Sequence, residues 1–249
     1  MKVEVVGFRK AALSIGAFII GAFAFAQDYI SEGRIVFERR TNLEKRYAGM
    51  EKNRWMRNAD LSKPKIDEFE LLFTKDLSVF KPVESDVRDE RSWFTMSNLT
   101  AQDFINNVRK QEFNIMGTAV NLEDEIKERT WRMTESTRTI AGYECRQALW
   151  IANDTVRIYA WYAEELLIST GPETFNGLPG TILGLAIEDG GIVYFAKEVE
   201  KKTVQPEEYI PKARKKDIYT EESLRNLIND RFSSYGSMVE IYKTDMFTW

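Results

Sequence analysis

The sequence contains no histidine and only one cysteine, Cys145, in 249 residues. Without an imidazole, Ser-His-Asp and Cys-His sites lack the group that shuttles the proton. Zinc sites of the ordinary type need His or several Cys, and attached haem needs a C-x-x-C-H run. A lone cysteine closes no internal disulfide, so the fold has to be stabilised by its core. No loop follows the D-x-D-x-D-G pattern of a calcium hand. The composition therefore implies neither a cofactor nor a metal. Positive charge is also short, at 35 Lys+Arg against 39 Asp+Glu. A mildly acidic chain with no basic stripe and no interleaved aromatics is a poor binder of polyanions, which sets nucleic acid aside.

Long hydrophobic runs are absent except at the start. Lys2, Arg9 and Lys10 precede an uncharged stretch over residues 11–25, which ends Ala24-Phe25-Ala26 and turns polar at Gln27-Asp28. That three-part layout with small residues at the junction predicts a cleavable signal peptide over 1–26. The run is short for a membrane span of about 30 Å. Cleavage would leave 249 − 26 = 223 residues, with 32 bases, 38 acids and a net charge of −6. That length suits one β-rich domain over 27–249 with a core large enough to fold without staples. With no second hydrophobic run, no transmembrane segment is expected in the mature chain.

What is present is strand-like alternation. Residues 33–42 place Ile35, Phe37 and Arg39 on one side, and residues 65–74 alternate in the same way. Lys75-Asp76 opens a turn into a partner strand at Val79-Phe80, and Trp93-Phe94 begins another short strand. Residues 101–110 fit a helical turn or a strand equally well. The clearest patterning lies over 127–204, with strands predicted at 127–140, 143–151, 155–162, 182–187 and 192–199. Leu166 to Ile168 is a further candidate. Ala141-Gly142, Asn153-Asp154 and Asp189-Gly190-Gly191 are tight-turn signals, so consecutive strands pair antiparallel. Past Pro211 a basic run leads to Thr220, an N-cap followed by Glu221 and Glu222, and a helix from about 218 with Leu224, Leu227, Ile228 and Phe232 on its apolar face. The fold class expected is mainly β: a curved antiparallel sheet, half-barrel or bowl-like, with a C-terminal helix.

Residues 171–180 read GPETFNGLPG. Glycine admits positive φ and proline fixes φ, so the segment is restricted in shape. Phe175 and Leu178 are placed to tuck it onto the sheet. A rigid structural connection and a ligand-contacting loop are both open readings. Together with Ile140 to Cys145, Gln147-Ala148, Tyr159 to Tyr162, Gly171-Pro172 and Phe175 to Gly180, this loop resembles the GLPGLI family of exported Bacteroidota proteins, in the right order over about residues 127–200. The chain departs from that pattern at Thr181-Ile182, where the family has Leu-Ile. The resemblance implies a secreted or periplasmic envelope protein with no assigned activity, and the localisation expected is exported: periplasmic, outer-membrane associated or secreted. More distantly, the chain is similar to the bowl-like N-terminal β domain of some bacterial peptide N-glycanases, which implies an accessory role.

The candidate binding residues are Tyr143, Cys145, Tyr159 and Trp161 on the strands, with Gly171, Pro172, Phe175, Gly177, Leu178, Pro179 and Gly180 in the loop. Each also has a purely structural reading: a buried thiol packs as a small hydrophobe, and aromatics suit sheet interiors. The acid pairs Glu164-Glu165 and Glu188-Asp189 point to opposite sides of an extended chain and cannot cooperate through adjacency. The leading functional expectation is a non-enzymatic envelope binding or accessory module acting with an outer-membrane protein or assembly. The alternatives are a carrier of an apolar ligand in a curved sheet and a carboxylate-dependent hydrolase.

Overall fold

The computed structural model describes residues 29–49, 60–84, 91–115, 117–214, 217–232 and 237–248. The expected signal segment lies outside them. Twelve strands form one open sheet: β1 (Gly33–Thr41), β2 (Lys65–Phe73), β3 (Leu77–Pro82), β4 (Leu99–Asp103), β5 (Val108–Ile115), β6 (Thr118–Glu125), β7 (Arg132–Ile140), β8 (Tyr143–Ala152), β9 (Val156–Ala163), β10 (Thr181–Ile187), β11 (Ile192–Glu200) and β12 (Ile218–Tyr219). Three helices join them: α1 (Leu43–Arg46), α2 (Glu221–Phe232) and α3 (Ser237–Phe247). No described helix is long and apolar enough to cross a membrane.

The strand order is β12-β6-β5-β4-β3-β2-β1-β11-β10-β9-β8-β7. Two antiparallel meanders, β1 to β6 and β7 to β11, are joined where β1 pairs with β11. The short turns set this arrangement. Ala141, Asn153 and Asp154 all hold positive φ, as does Gly142, which is the backbone that two-residue hairpins require. Only the two-residue β12 runs parallel to its neighbour. The sheet curls without closing, and Cα atoms of β7 come back within 8 Å of β11. The mainly β, curved, open architecture with a C-terminal helix is as the sequence predicts.

Direct cross-strand neighbours share a face. Ile35, Leu71, Phe80, Thr100, Gln111 and Leu122 are such neighbours in sequence across six strands. They define an inner face, on which the helices and the loop 171–180 pack. Beside a small third cluster of Leu43, Tyr47 and Phe94, that face carries two large apolar cores. One gathers Ile35, Phe37, Phe69, Phe80, Ala160, Phe175 and Leu185. The other sets Leu224 and Ile228 of α2 and Val239 and Met246 of α3 against Phe113, Ile115 and Leu122. Phe69 and Phe80 stack at 4.9 Å. Each such ring contributes about 1.5–3 kcal/mol relative to exposure.

Several local expectations differ from the structure. Trp93 and Phe94 sit in a 3-10 turn (Ser92–Phe94) instead of a strand. Residues 101–110 divide into the end of β4, a turn and the start of β5. Leu166 makes one bridge, to Ile30, because the carbonyls of Leu166 and Ile168 are taken by Thr181. The strand expected from residue 127 begins at Arg132 and bulges between Met133 and Thr137. Thr220 does cap α2, its hydroxyl accepting from the Ser223 amide at 3.2 Å.

Candidate functional site

The loop 171–180 is buried almost throughout, with only Gly177 and Pro179 exposed. Its glycines explain the close fit. A Cβ on Gly180 would lie 2.2 Å from the Ala163 carbonyl oxygen, and one on Gly171 would lie 2.7 Å from the Ile182 Cβ. Phe175 and Leu178 enter the larger core. The loop's polar groups are bonded to the sheet. Asn176 donates to Gln102 Oε1 at 2.7 Å. Trp131 Nε1 donates to the Asn176 carbonyl at 2.8 Å. Arg129 donates to both oxygens of Thr174, at 2.8 and 2.6 Å, while its guanidinium lies 4.3 Å from the Phe175 ring centroid. Burial, with Arg109 nearby, pushes the Arg129 pKa down to about 9.

These contacts belong to a polar seam crossing the inner face between the two apolar cores. At one end Arg109 donates to Gln111 and to Glu221 of α2, at 2.8 and 2.6 Å. Lys127 pairs with the same Glu221 at 3.1 Å. Burial alone would raise the Glu221 pKa, but Lys127, Arg225 and Arg109 hold it down at about 2. At the other end Arg39 of β1 stands between its register neighbours Asp67 and Tyr194. It donates to Asp67 Oδ2 at 2.8 Å and lies 3.8 Å from Glu173 Oε1. Arg46 of α1 pairs with Asp245 of α3.

Glu173 is the centre of that end. It holds φ +54° and is 2 % exposed. Tyr194 donates to its Oε1 at 2.7 Å. Burial pushes its carboxyl up to about 7, against the pull of Arg39 and Tyr194. With Arg39, Arg46, Asn98, Tyr194 and Asp245 it lines a small, partly open cavity of about 10 Å³, room for one water molecule. Glu173 Oε2, Asp245 Oδ1, Asn98 Oδ1, Arg39 Nε and Arg46 Nε are buried there without hydrogen-bond partners.

The structure separates the candidate residues taken from the sequence into two groups. Gly171, Pro172, Phe175, Gly177, Leu178, Pro179 and Gly180 lie on the inner side of the sheet. Tyr143, Cys145, Tyr159 and Trp161 lie on the opposite face: Arg138 pairs with Cys145, Ile140 with Tyr143, Gln147 with Trp161, Leu149 with Tyr159 and Gly184 with Trp161. There the curled tip of the β7–β8 hairpin covers Trp161. A Cβ on Gly184 would meet Ile140 at 2.8 Å, and Arg138 sits 4.2 Å above the Trp161 ring. Tyr143, Leu149, Tyr159 and Phe195 remain half-exposed. Cys145 is fully buried, and burial pushes its thiol up to about 11. Arg39, Asp67, Glu173 and Tyr194 were not among the sequence candidates. Their signal was Arg39 itself, a charge in the apolar row of Ile35 and Phe37.

Residues 151–184, from the end of β8 to the start of β10, match a family described as protein of unknown function (Porph_ging). No curated protein matches the chain. Among solved structures, two crystal forms of PNGF-II are similar. The C2 form aligns at TM-score 0.52 and 16% identity, over 78% of this chain and 31% of that one. The P21 form aligns at TM-score 0.54 and 15% identity, over 79% and 32%. This chain thus spans about a third of the length of PNGF-II, and at that identity the likeness is one of fold.

Proposed function

We propose that this chain is an exported, non-enzymatic binding or accessory module of the cell envelope, acting with an outer-membrane protein or assembly. The observation that carries the reading is the share of PNGF-II that it matches. A fold that occupies 31% of a longer chain recurs here over most of a short one, as modules do. The internal chemistry agrees with it. The loop that carries the family resemblance directs its polar groups into the sheet, so its restricted shape serves the scaffold. The half-exposed Tyr143, Leu149, Tyr159 and Phe195 then offer the partner an aromatic surface of the kind enriched at interfaces.

The test places a photo-crosslinking side chain at Tyr159 in the native envelope, with exposed Thr155 as control. The reading expects one protein crosslinked from Tyr159 and absent from Thr155, and a mature N-terminus at Gln27. No specific crosslink, or an uncleaved cytoplasmic protein, would overturn it. The same aromatic surface favours, second, a carrier of an apolar ligand. In that case organic extraction of protein crosslinked at Tyr159 yields a small molecule in place of a protein.

A further inference from the structure

We propose that Glu173 is a proton-operated latch, whose neutral carboxyl seats the loop 171–180 and whose ionisation loosens it. The inference is independent of the role assigned above. Glu173 is the loop's only ionisable group, since the remainder reads Gly, Pro, Thr, Phe, Asn, Gly, Leu, Pro and Gly. It is buried at the polar end of the seam. Every element packed against it presents a charged or polar group: Arg39 from β1, Tyr194 from β11, Arg46 from α1, Asp245 from α3, and Asn98 from the segment before β4. Asp67 and Lys65 of β2 stand one shell further out, with Asp67 held by both Arg39 and Lys65.

The hydrogen-bond count around the cavity calls for a proton. Oε1 of Glu173 already accepts from Tyr194. Oε2 has no partner, and the cavity wall beside it holds two further buried acceptors without donors, Asn98 Oδ1 and Asp245 Oδ1. Only two buried N–H groups there lack acceptors, Arg39 Nε and Arg46 Nε, so acceptors exceed donors by one, although Arg39, Tyr194 and Asn98 all favour the ionised carboxyl. An ionised Glu173 leaves three acceptor oxygens there competing for two N–H groups and sets a second carboxylate in the same cavity as Asp245. A neutral Glu173 supplies the missing O–H, directly or through one water in a cavity of that size. Buried acceptors without donors are costly, as are like charges that share a dry site. The pKa displaced toward about 7 agrees with this geometry. Above that pH, the proton leaves for solvent and the carboxylate regains hydration only if the loop lifts from the sheet.

The first measurement uses the unaltered protein: 13C NMR of glutamate-labelled material, titrated from pH 5 to 9. One carboxyl is expected to titrate near 7. If every glutamate carboxyl has ionised by pH 6, the proposal fails. The second measurement is hydrogen exchange of residues 171–180, corrected for the intrinsic pH dependence of exchange. Opening is expected to rise by up to about tenfold per pH unit above 7, the limit for one linked proton. In Glu173→Gln, which keeps a neutral donor at Oε2's place, protection should stay flat over the same range. Equal pH dependence in both proteins would overturn the latch, even if a carboxyl does titrate near 7.

Discussion

At the scale of single residues, the fit of loop to sheet makes two glycines behave very differently. Gly180 combines φ +149° with a would-be Cβ only 2.2 Å from backbone. Gly180→Ala therefore adds strain and a clash that no flexible side chain can absorb, and should cost about 3 kcal/mol or more. Gly142 also has positive φ, but nothing lies within 4 Å of its Cβ position. Gly142→Ala should cost only about 1 kcal/mol. Urea unfolding of the two variants checks the contrast. Arg39 poses the complementary case. Removing it as Arg39→Met leaves buried Asp67 and Glu173 without their shared cation, and breaking a buried pair in this way costs about 3–5 kcal/mol. The double variant Arg39→Met/Glu173→Gln should recover little of that loss when assayed at pH 5, where Glu173 is already neutral, because the stranded charge is Asp67.

At the scale of elements, the seam divides the inner face into two apolar cores that share few side chains. A cavity made in one should be felt there first. Leu224→Ala in α2 removes a fully buried side chain from the smaller core, a change that costs about 2–5 kcal/mol. Hydrogen exchange should quicken in residues 108–125 and 221–232 while residues 156–187 keep their protection, as expected of separate cooperative units. Uniform loss across both halves would mean that the seam couples the cores instead of dividing them. The seam also explains which elements were legible in the sequence. The β8 to β11 strands put apolar residues inward and have turns of Asn, Asp and Gly, so pattern and turn chemistry agree. In β5 the inward positions start with Arg109 and Gln111, which hides the period-two signal and left the β5–β6 hairpin unread. Trp93-Phe94 has strand-like composition, yet a 3-10 turn serves to put Phe94 against Tyr47. α3 was not read from the sequence although Ser237-Met-Val-Glu240 has the S-x-x-E spacing of a capping box, because its apolar residues show no clear one-sided stripe. Within the candidate site, the GPETFNGLPG segment stood out by its glycines and prolines. Its chemistry resides in Glu173, Thr174 and Asn176, whose partners Tyr194, Arg129 and Gln102 lie 21, 45 and 74 residues away in the chain. Spacing along the chain carries no trace of such contacts.

At the scale of the whole molecule, the two ends of the seam make opposite demands on pH. The carboxyl of Glu173 is raised from 4.5 to about 7 by burial, so the folded state holds its proton more tightly than the unfolded chain. Its stabilisation is complete below pH 4.5 and is lost as pH rises through 7, by about 3 kcal/mol at most at 1.36 kcal/mol per unit. Glu221 is lowered from 4.5 to about 2, its partners Lys127, Arg225 and Arg109 outweighing burial. Its stabilisation is present above pH 4.5 and is lost as pH falls through 2. Together they predict a stability maximum near pH 4.5 to 5, with separate causes for the two slopes. Unfolding midpoints in urea, measured at intervals from pH 2 to 9, should therefore form a dome for the native sequence. Glu173→Gln should flatten the alkaline side between 4.5 and 7 and leave the acid side intact. Glu221→Gln should do the reverse. If both variants flatten the same slope, the seam titrates as one coupled network, and the loop at one end and α2 at the other respond to a single proton equilibrium.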